Sequence, residues 1–385
     1  MKTTLIAFGV GSFFTARILS ANASPAPTGL LCDYKRGGSP PSLLTSASTS
    51  STPTSTASVN GGALGVRTAP YFSWIVPPCD TASASSQTAY QIVVSNVSST
   101  TTKLNGGASV VWDSGKVQSS NSIYVPYNGS TLAPGAQYSW TVTTWTTDAE
   151  NNNNNNNNNN SDGQVIAKAN TCTSDVSAPA TFTTSLGSTG FTHANFLTLP
   201  TSTFGYFRKE ITVPANVVSA HAFIASAGDS ALLGFYKFYI NGELQDVGPG
   251  RGEAPVWDGD GVFRSLPYAT LDIPSTYYSS SGDDDDSTKI VLSLVAMRHA
   301  GGPKVMLQLN WRSSDGSVQF DGSTDNTWKV FNGDLHRKPG PPQHGSSAGN
   351  KFIEYIDANG EPVNWQALGF DDSKWQTAQA APPST

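Results

Sequence analysis

The residues that decide the fold read QTAYQIVVSN at 87–96, VVWDSGKVQSSNSIYVPYNGSTL at 110–132 and YSWTVTTW at 138–145. Apolar and polar side chains alternate in the first and last of these runs, placing Tyr90, Ile92 and Val94 on one face and Tyr138, Trp140 and Val142 on another. Period two is the signature of strands with one buried side. Between them Asp113, Ser114 and Gly115, and later Asn128 and Gly129, are residue types that turns select for positive φ or local side-chain capping. An antiparallel β-sandwich of the fibronectin-III or immunoglobulin type is expected over 64–187.

Alternation resumes at Tyr206 after a connector at Phe191–Pro200. The segment Lys237–Ile240 followed by Asn241 and Gly242 predicts a hairpin, because an Asn-Gly pair supplies the two positive φ angles of a type I′ turn. Ile290–Met297 and Val305–Trp311 read as strongly apolar strands, with Leu292, Leu294, Leu307 and Leu309 on buried faces. A second sandwich of jelly-roll, lectin-like type is expected over 191–327, making the chain all-β. From about Trp328 to Thr385 the pattern loosens, punctuated by Pro339, Pro341 and Pro342.

The first and third runs, with WDSGKV between them, resemble the accessory β-domain at the front of α-L-rhamnosidases. LGVRTAPYFSW at 64–74 resembles that domain's opening; YFRKEI at 206–211 with FYING at 238–242 resembles the lectin-like domain after it. EPVNWQALGFDDSKW at 361–375 resembles the run that leads into the family's catalytic barrel. The resemblance implies a glycosidase acting on terminal α-L-rhamnosyl residues of plant glycosides, with its two carboxyl groups on a helical (α/α) barrel. No segment here carries the repeated amphipathic helix pattern of such a barrel, so the chain is expected to be a non-catalytic front part that binds at most. Residues 328–385 are then expected to be a docking segment, leaving Phe352, Ile356, Trp365, Phe370 and Trp375 partly exposed without the barrel. A free-standing secreted lectin or adhesion module is the alternative from another class.

Charge narrows the partners. With 22 Lys and Arg against 28 Asp and Glu, a net charge of -6 and 13% charged residues, nothing suggests the basic surface that nucleic acid or an anionic membrane would require. A neutral polar ligand, a rhamnosylated saccharide under the resemblance, fits better. Lys2, the apolar run Leu5–Phe14 and then Ala21-Asn22-Ala23 follow the order of a secretory leader, with cleavage expected after Ala23. The apolar run is too short to span a bilayer. Residues 24–63, with TSASTSSTPTSTAS at 45–58, read as a linker too poor in large apolar side chains to repay ordering, and the run Asn151–Asn160 as an insertion in a hairpin.

Export would permit a disulfide. Cys79 and Cys172 flank the first sandwich and are the expected pair, leaving Cys32 odd; three reduced thiols are the alternative. Acceptor tripeptides at Asn96, Asn128 and Asn159 mark sites for N-glycosylation.

The best sugar-binding constellation lies in the glycine-rich loop 248–261, where Trp257 offers an aromatic face and Arg251, Glu253, Asp258 and Asp260 offer hydroxyl partners. A structural turn with solvated charges is its bland reading. No cofactor is required; calcium in the jelly roll is what the resemblance implies, through Asp229. There the expected Asn neighbour is replaced by Ser230, which removes one oxygen ligand. The spacing from Asp258 also resembles a calcium loop, but its twelfth position is Ala269 rather than a bidentate Glu. Asp283–Asp286 reads as an exposed, self-repelling run. Asp371 and Asp372 are adjacent, so they cannot face each other as a glycosidase pair and read as turn residues. His221, His299, His336 and His344 show no metal spacing, and no GxSxG elbow is present.

Overall fold

The computed structural model describes residues 23–35, 62–79, 85–97, 109–148, 171–187, 190–200, 202–227, 234–248, 268–278, 288–297, 302–339 and 354–381. Among these residues there is no α-helix; strands and two 3₁₀ turns make two β-sandwiches in sequence.

In the first, strand Gln137–Asp148 is the axis of the larger sheet. Ser85–Asn96 pairs along its length in antiparallel register, Asn96 opposite Tyr138 and Ser85 opposite Asp148. Thr171–Ser174 and Ala180–Thr184 share its other edge. A three-stranded sheet of Thr28–Cys32, Tyr71–Ile75 and Val125–Pro126 closes the core. Period two sorts the side chains as the sequence indicates. Ile92, Val94, Trp140 and Val142 are buried with Phe72 and Phe182 between the sheets, and the Phe72 and Trp140 rings lie 4.5 Å apart. Buried Gln87 accepts from Trp74 Nε1 at 2.9 Å and donates to the Ser119 and Asn121 carbonyls, so its amide bonds on both sides and is stable in the core. The end of the segment read as leader and part of that read as linker depart from expectation. Ala23–Ser24 and Thr28–Cys32 are strands of this sandwich, because Leu30 and Cys32 supply apolar side chains to its core. Cys79 and Cys172 are joined in a disulfide with Cα atoms 5.5 Å apart, and Cys32 is a buried free thiol whose pKa burial pushes up.

The second sandwich stacks two antiparallel six-stranded sheets. One runs Tyr268–Asp272, Val217–Ala227, Lys304–Ser313, Phe196–Thr198 and Gln379–Ala381, with Val318–Gln319 added beside Lys304–Ser313. The other runs Glu243–Gly248, Phe235–Ile240, Lys289–Met297, Phe204–Thr212, Lys329–Asn332 and Gln376–Thr377. Asn241 (φ 50°) and Gly242 (φ 82°) make the two-residue I′ hairpin that the Asn-Gly pair dictates. Phe207, Ile224, Phe238, Leu292, Leu294, Leu307, Leu309, Trp311 and Trp328 fill the space between the sheets.

Here both faces of the central strands are buried, which explains why Ile290–Met297 and Val305–Trp311 read as nearly continuous apolar runs. The outer face of the first of these sheets meets the other sandwich. His221 Nε2 lies 3.0 Å from both Thr183 Oγ1 and Asp272 Oδ1, the Asn310 amide donates to the Gly135 carbonyl, and the Leu186 N–H donates to Tyr268 Oη. The outer face of the second is covered by the C-terminal segment, where Tyr206, Val295, Trp365 and Trp375 form their own cluster. The expectation of partly exposed Trp365 and Trp375 therefore fails: they are 5% and 8% exposed, packed against the chain's own sheet. Phe370 is half-buried and Ile356 exposed, while Phe352 lies outside the described residues. Since Lys329–Asn332, Gln376–Thr377 and Gln379–Ala381 are strands of the second sandwich, the 327/328 boundary does not divide the fold.

Candidate functional site

Most residues singled out by sequence for sugar or metal, namely Arg251, Glu253, Trp257, Asp258, Asp260 and Asp229, lie outside the described residues, as do Asn159 and Asp283–Asp286. Asn96 and Asn128 are described, and both are exposed. No group of three or more His, Cys, Asp or Glu side chains among the described residues is placed to hold a metal ion.

The structure offers a different place. At an edge of the second sandwich the sheets part around an open hollow of about 500 Å³ lined by His193, Lys209, Thr212, Phe320, Asp321 and Asp325, among others. Lys209 shares the parity of Phe207 and Ile211, and its ammonium lies 3.4 Å from both Asp325 carboxylate oxygens in the hollow. Asp325 opens a tight turn in which it accepts from the Thr327 N–H at 2.9 Å and from the Thr327 hydroxyl. Burial pushes this carboxyl up, but the Thr327 hydrogen bonds and the Lys209 charge outweigh burial and hold it below the usual range. On the facing wall the His193 ring stacks on Phe320, centroids 3.5 Å apart and planes 12° apart, while the His193 N–H donates to Gln308 Oε1. The loop between Phe320 and Trp328 is pinned. Thr324 Oγ1 donates to the Asn195 carbonyl at 2.6 Å, Ser323 Oγ accepts from the Leu309 N–H, and Trp328 Nε1 donates to the Ser323 carbonyl.

A fixed wall of one aromatic pair, two carboxylates and an ammonium can bind a polyhydroxylated ring through its apolar face and its hydroxyls. A glycosidase general acid must hold its proton near neutrality, so Asp325, held below the usual range, is not suited to that role. The sequence concealed this hollow because His193 and Lys209 lie more than a hundred residues from Phe320 and Asp325; the one local signal was the Asp325-Asn326-Thr327 turn.

The second polar constellation fastens the tail. Arg208 is 1% exposed, and its guanidinium donates to the Trp365, Ala367 and Phe370 carbonyls and to the carboxylates of Glu210 and Asp372. Nearby, Arg337 donates to Tyr206 Oη and, at 2.6 Å, to Glu361. Burial, only partly opposed by Arg337, raises the Tyr206 phenol to about 12. Asp371 accepts from the Ser373 N–H, so of the two adjacent acids one caps a turn and the other holds a buried cation.

Residues 58–158 match the family described as Rha78A-like, N-terminal immunoglobulin domain. Over 350 residues the chain is 26% identical to an α-L-rhamnosidase of Formosa agariphila, covering 82% of this chain and 32% of that protein. A Streptomyces avermitilis α-L-rhamnosidase is 24% identical over 252 residues, covering 64% of this chain and 23% of that protein. The chain thus spans about a third, or less, of the length of the curated relatives it matches. Among solved structures, α-L-rhamnosidase from Dictyoglumus thermophilum superposes with a TM-score of 0.62 at 21% identity, covering 94% of this chain and 35% of that one. That of Aspergillus terreus gives 0.54 at 21% identity, covering 84% and 33%. These likenesses show the fold, and with the family match they make the chain similar to the N-terminal accessory region of α-L-rhamnosidases.

Proposed function

We propose that this chain is the non-catalytic front part of a secreted α-L-rhamnosidase, a glycosidase acting on terminal α-L-rhamnosyl residues, and that its second sandwich holds carbohydrate. The observation that carries the reading is the 350-residue match to an α-L-rhamnosidase, which at 82% of this chain takes in both sandwiches. The hollow of His193, Lys209, Phe320, Asp321 and Asp325 supplies the binding chemistry, with Phe320 as the aromatic face and the carboxylates as hydroxyl acceptors. The catalytic barrel is the partner. Leu335, Ile356, Val363 and Leu368, from 47% to 79% exposed along the C-terminal segment, are apolar side chains such a partner could cover.

The test is to mix the full chain with an aryl α-L-rhamnoside and with L-rhamnose. The expected result is no turnover, with saturable chemical-shift changes on adding rhamnose that Phe320→Ala weakens at least about tenfold, as loss of an aromatic platform implies. Turnover by the chain would overturn the non-catalytic reading, and no saturable shifts with any neutral sugar would overturn the binding one. Burial of Trp365 and Trp375 within the chain favours a second reading, a self-sufficient secreted lectin. Under it the C-terminal segment resists limited proteolysis in the isolated chain and rhamnose has no advantage over other hexoses.

A further inference from the structure

Where one end of the first sandwich meets the second lies a cleft of about 280 Å³, lined among others by Asn96, Gln137, Tyr138, Val218, Arg312 and Ser314. Asn96 ends strand Ser85–Asn96 and stands opposite Tyr138 in register. It therefore shares the inward parity of Tyr90, Ile92 and Val94, and its side chain leaves the end of the core into the cleft rather than from the outer face of the sheet. Its amide makes no side-chain hydrogen bond among the described residues, and it opens the acceptor tripeptide Asn96-Val97-Ser98.

The second sandwich contributes Arg312 to the cleft. Arg312 is half-buried, yet among the described residues its guanidinium makes one hydrogen bond, to the Gly316 carbonyl at 3.2 Å, and none of their carboxylates lies within ion-pair distance of it. Asp315, three residues on, is turned to Ser317 instead. A guanidinium carries five N–H donors, so most of this one's capacity faces a partly desolvated space without a protein partner. Val218 and Val97 add small apolar surfaces beside it. Donors, a little apolar surface and room for one pyranose ring, all starting from an acceptor asparagine, describe a seat for a covalently attached sugar.

We propose that Asn96 carries an N-linked glycan whose first sugar occupies this cleft and braces the two sandwiches against each other. Attachment takes place on the unfolded chain during export, as inferred above. The bond that forms joins Asn96 Nδ2 to the anomeric carbon of the sugar. The bond that breaks joins that carbon to a phosphate oxygen of a lipid pyrophosphate donor; the lipid pyrophosphate leaves, and the amide gives one proton to solvent. On folding, the inward parity of Asn96 steers the sugar into the cleft, where its hydroxyl and acetamido oxygens accept from Arg312.

The test secretes the full chain from a glycosylating yeast behind the host's own leader, so that a failure at Asn96 speaks to the cleft and not to the natural leader or to rhamnoside binding. Peptide mass spectrometry reads occupancy at Asn96 and at Asn128, which sits in an exposed turn. An amidase that removes N-glycans is then applied to native and to denatured protein. Near-complete occupancy at Asn96 is expected, with release from the native protein at least about tenfold slower than from Asn128 and equal rates after denaturation. Arg312→Ala should bring the native rate at Asn96 to that at Asn128, with Arg312→Lys intermediate. An unmodified Asn96, or release from native protein at the Asn128 rate, would overturn the proposal.

Discussion

The two sandwiches reach stability by different routes. The first sets a large sheet against one of only three strands, and a disulfide ties strand Thr171–Ser174 to the segment after Tyr71–Ile75. The second has no disulfide among its described residues. It surrounds a larger core with two sheets and then covers the outer faces as well, one with the first sandwich and one with a C-terminal segment fastened by Arg208 and Arg337. Where one face of a sheet is solvated, a covalent link compensates for a smaller core; where both faces are covered, buried cations orient the cover.

The sharpest way to break this contrast is Arg208→Ala. It removes the cation that five backbone and carboxylate acceptors converge on, and should cost about 3–5 kcal/mol, the usual penalty for splitting a buried ionic cluster. Trp365 and Trp375 should become solvent-exposed by fluorescence and residues 354–381 protease-sensitive, while the first sandwich keeps its unfolding transition. Loss of both transitions together would show that the sandwiches are one cooperative unit. Removing the disulfide by Cys79→Ser with Cys172→Ser should cost about 2–4 kcal/mol, confined to the first sandwich. Calorimetry of the two variants therefore shifts opposite transitions, or the contrast is wrong.

A third, smaller effect is alkaline. Tyr206, Tyr277 and Tyr278 of the second sandwich are each raised to about 12, foremost by burial. Below the ordinary phenol value near 10 these groups are protonated whether the chain is folded or not, so their contribution is complete. Between about 10 and 12 only the unfolded chain releases the protons, and stability falls as pH rises through that window. The urea midpoint of the second sandwich should drop between those pH values. A flat profile there would mean that the three phenols are hydrated in the folded protein.

The contrast also accounts for what could be read from the chain. Period-two alternation disclosed the strands around Tyr90 and Trp140, and Asn241-Gly242 disclosed its hairpin, because both signals are local. The integration of the C-terminal segment was not legible. Gln379–Ala381 pairs with Phe196–Thr198 and Gln376–Thr377 with Lys329–Asn332, and nothing in a short polar strand names a partner so remote in sequence. Arg208 lay inside the YFRKEI motif, but an alternating strand does not say whether its outward side chain meets solvent or a returning segment. The hollow was hidden for the same reason: His193 and Phe320 meet only once the sheets are stacked.

The smallest expected effect compares matched glycines in the two sandwiches. Gly242 has φ +82° in the second, with space for a methyl group, since an added Cβ would meet the nearest atom, Gln366 Cβ, at 3.9 Å. Gly115 has φ +59° in the first, with nothing within 4 Å. Neither position is crowded, so alanine at either should cost only the left-handed backbone penalty, about 1 kcal/mol, and Gly115→Asn less, since Asn tolerates that region. Equal penalties would make the two turns equivalent and leave the covering segment and the disulfide to account for the difference between the domains. A Gly242→Ala cost of several kcal/mol, restored toward about 1 when Gln366→Ala is added, would instead show that the C-terminal segment clamps this turn through Gln366, extending the Arg208 fastening to the far end of the sheet.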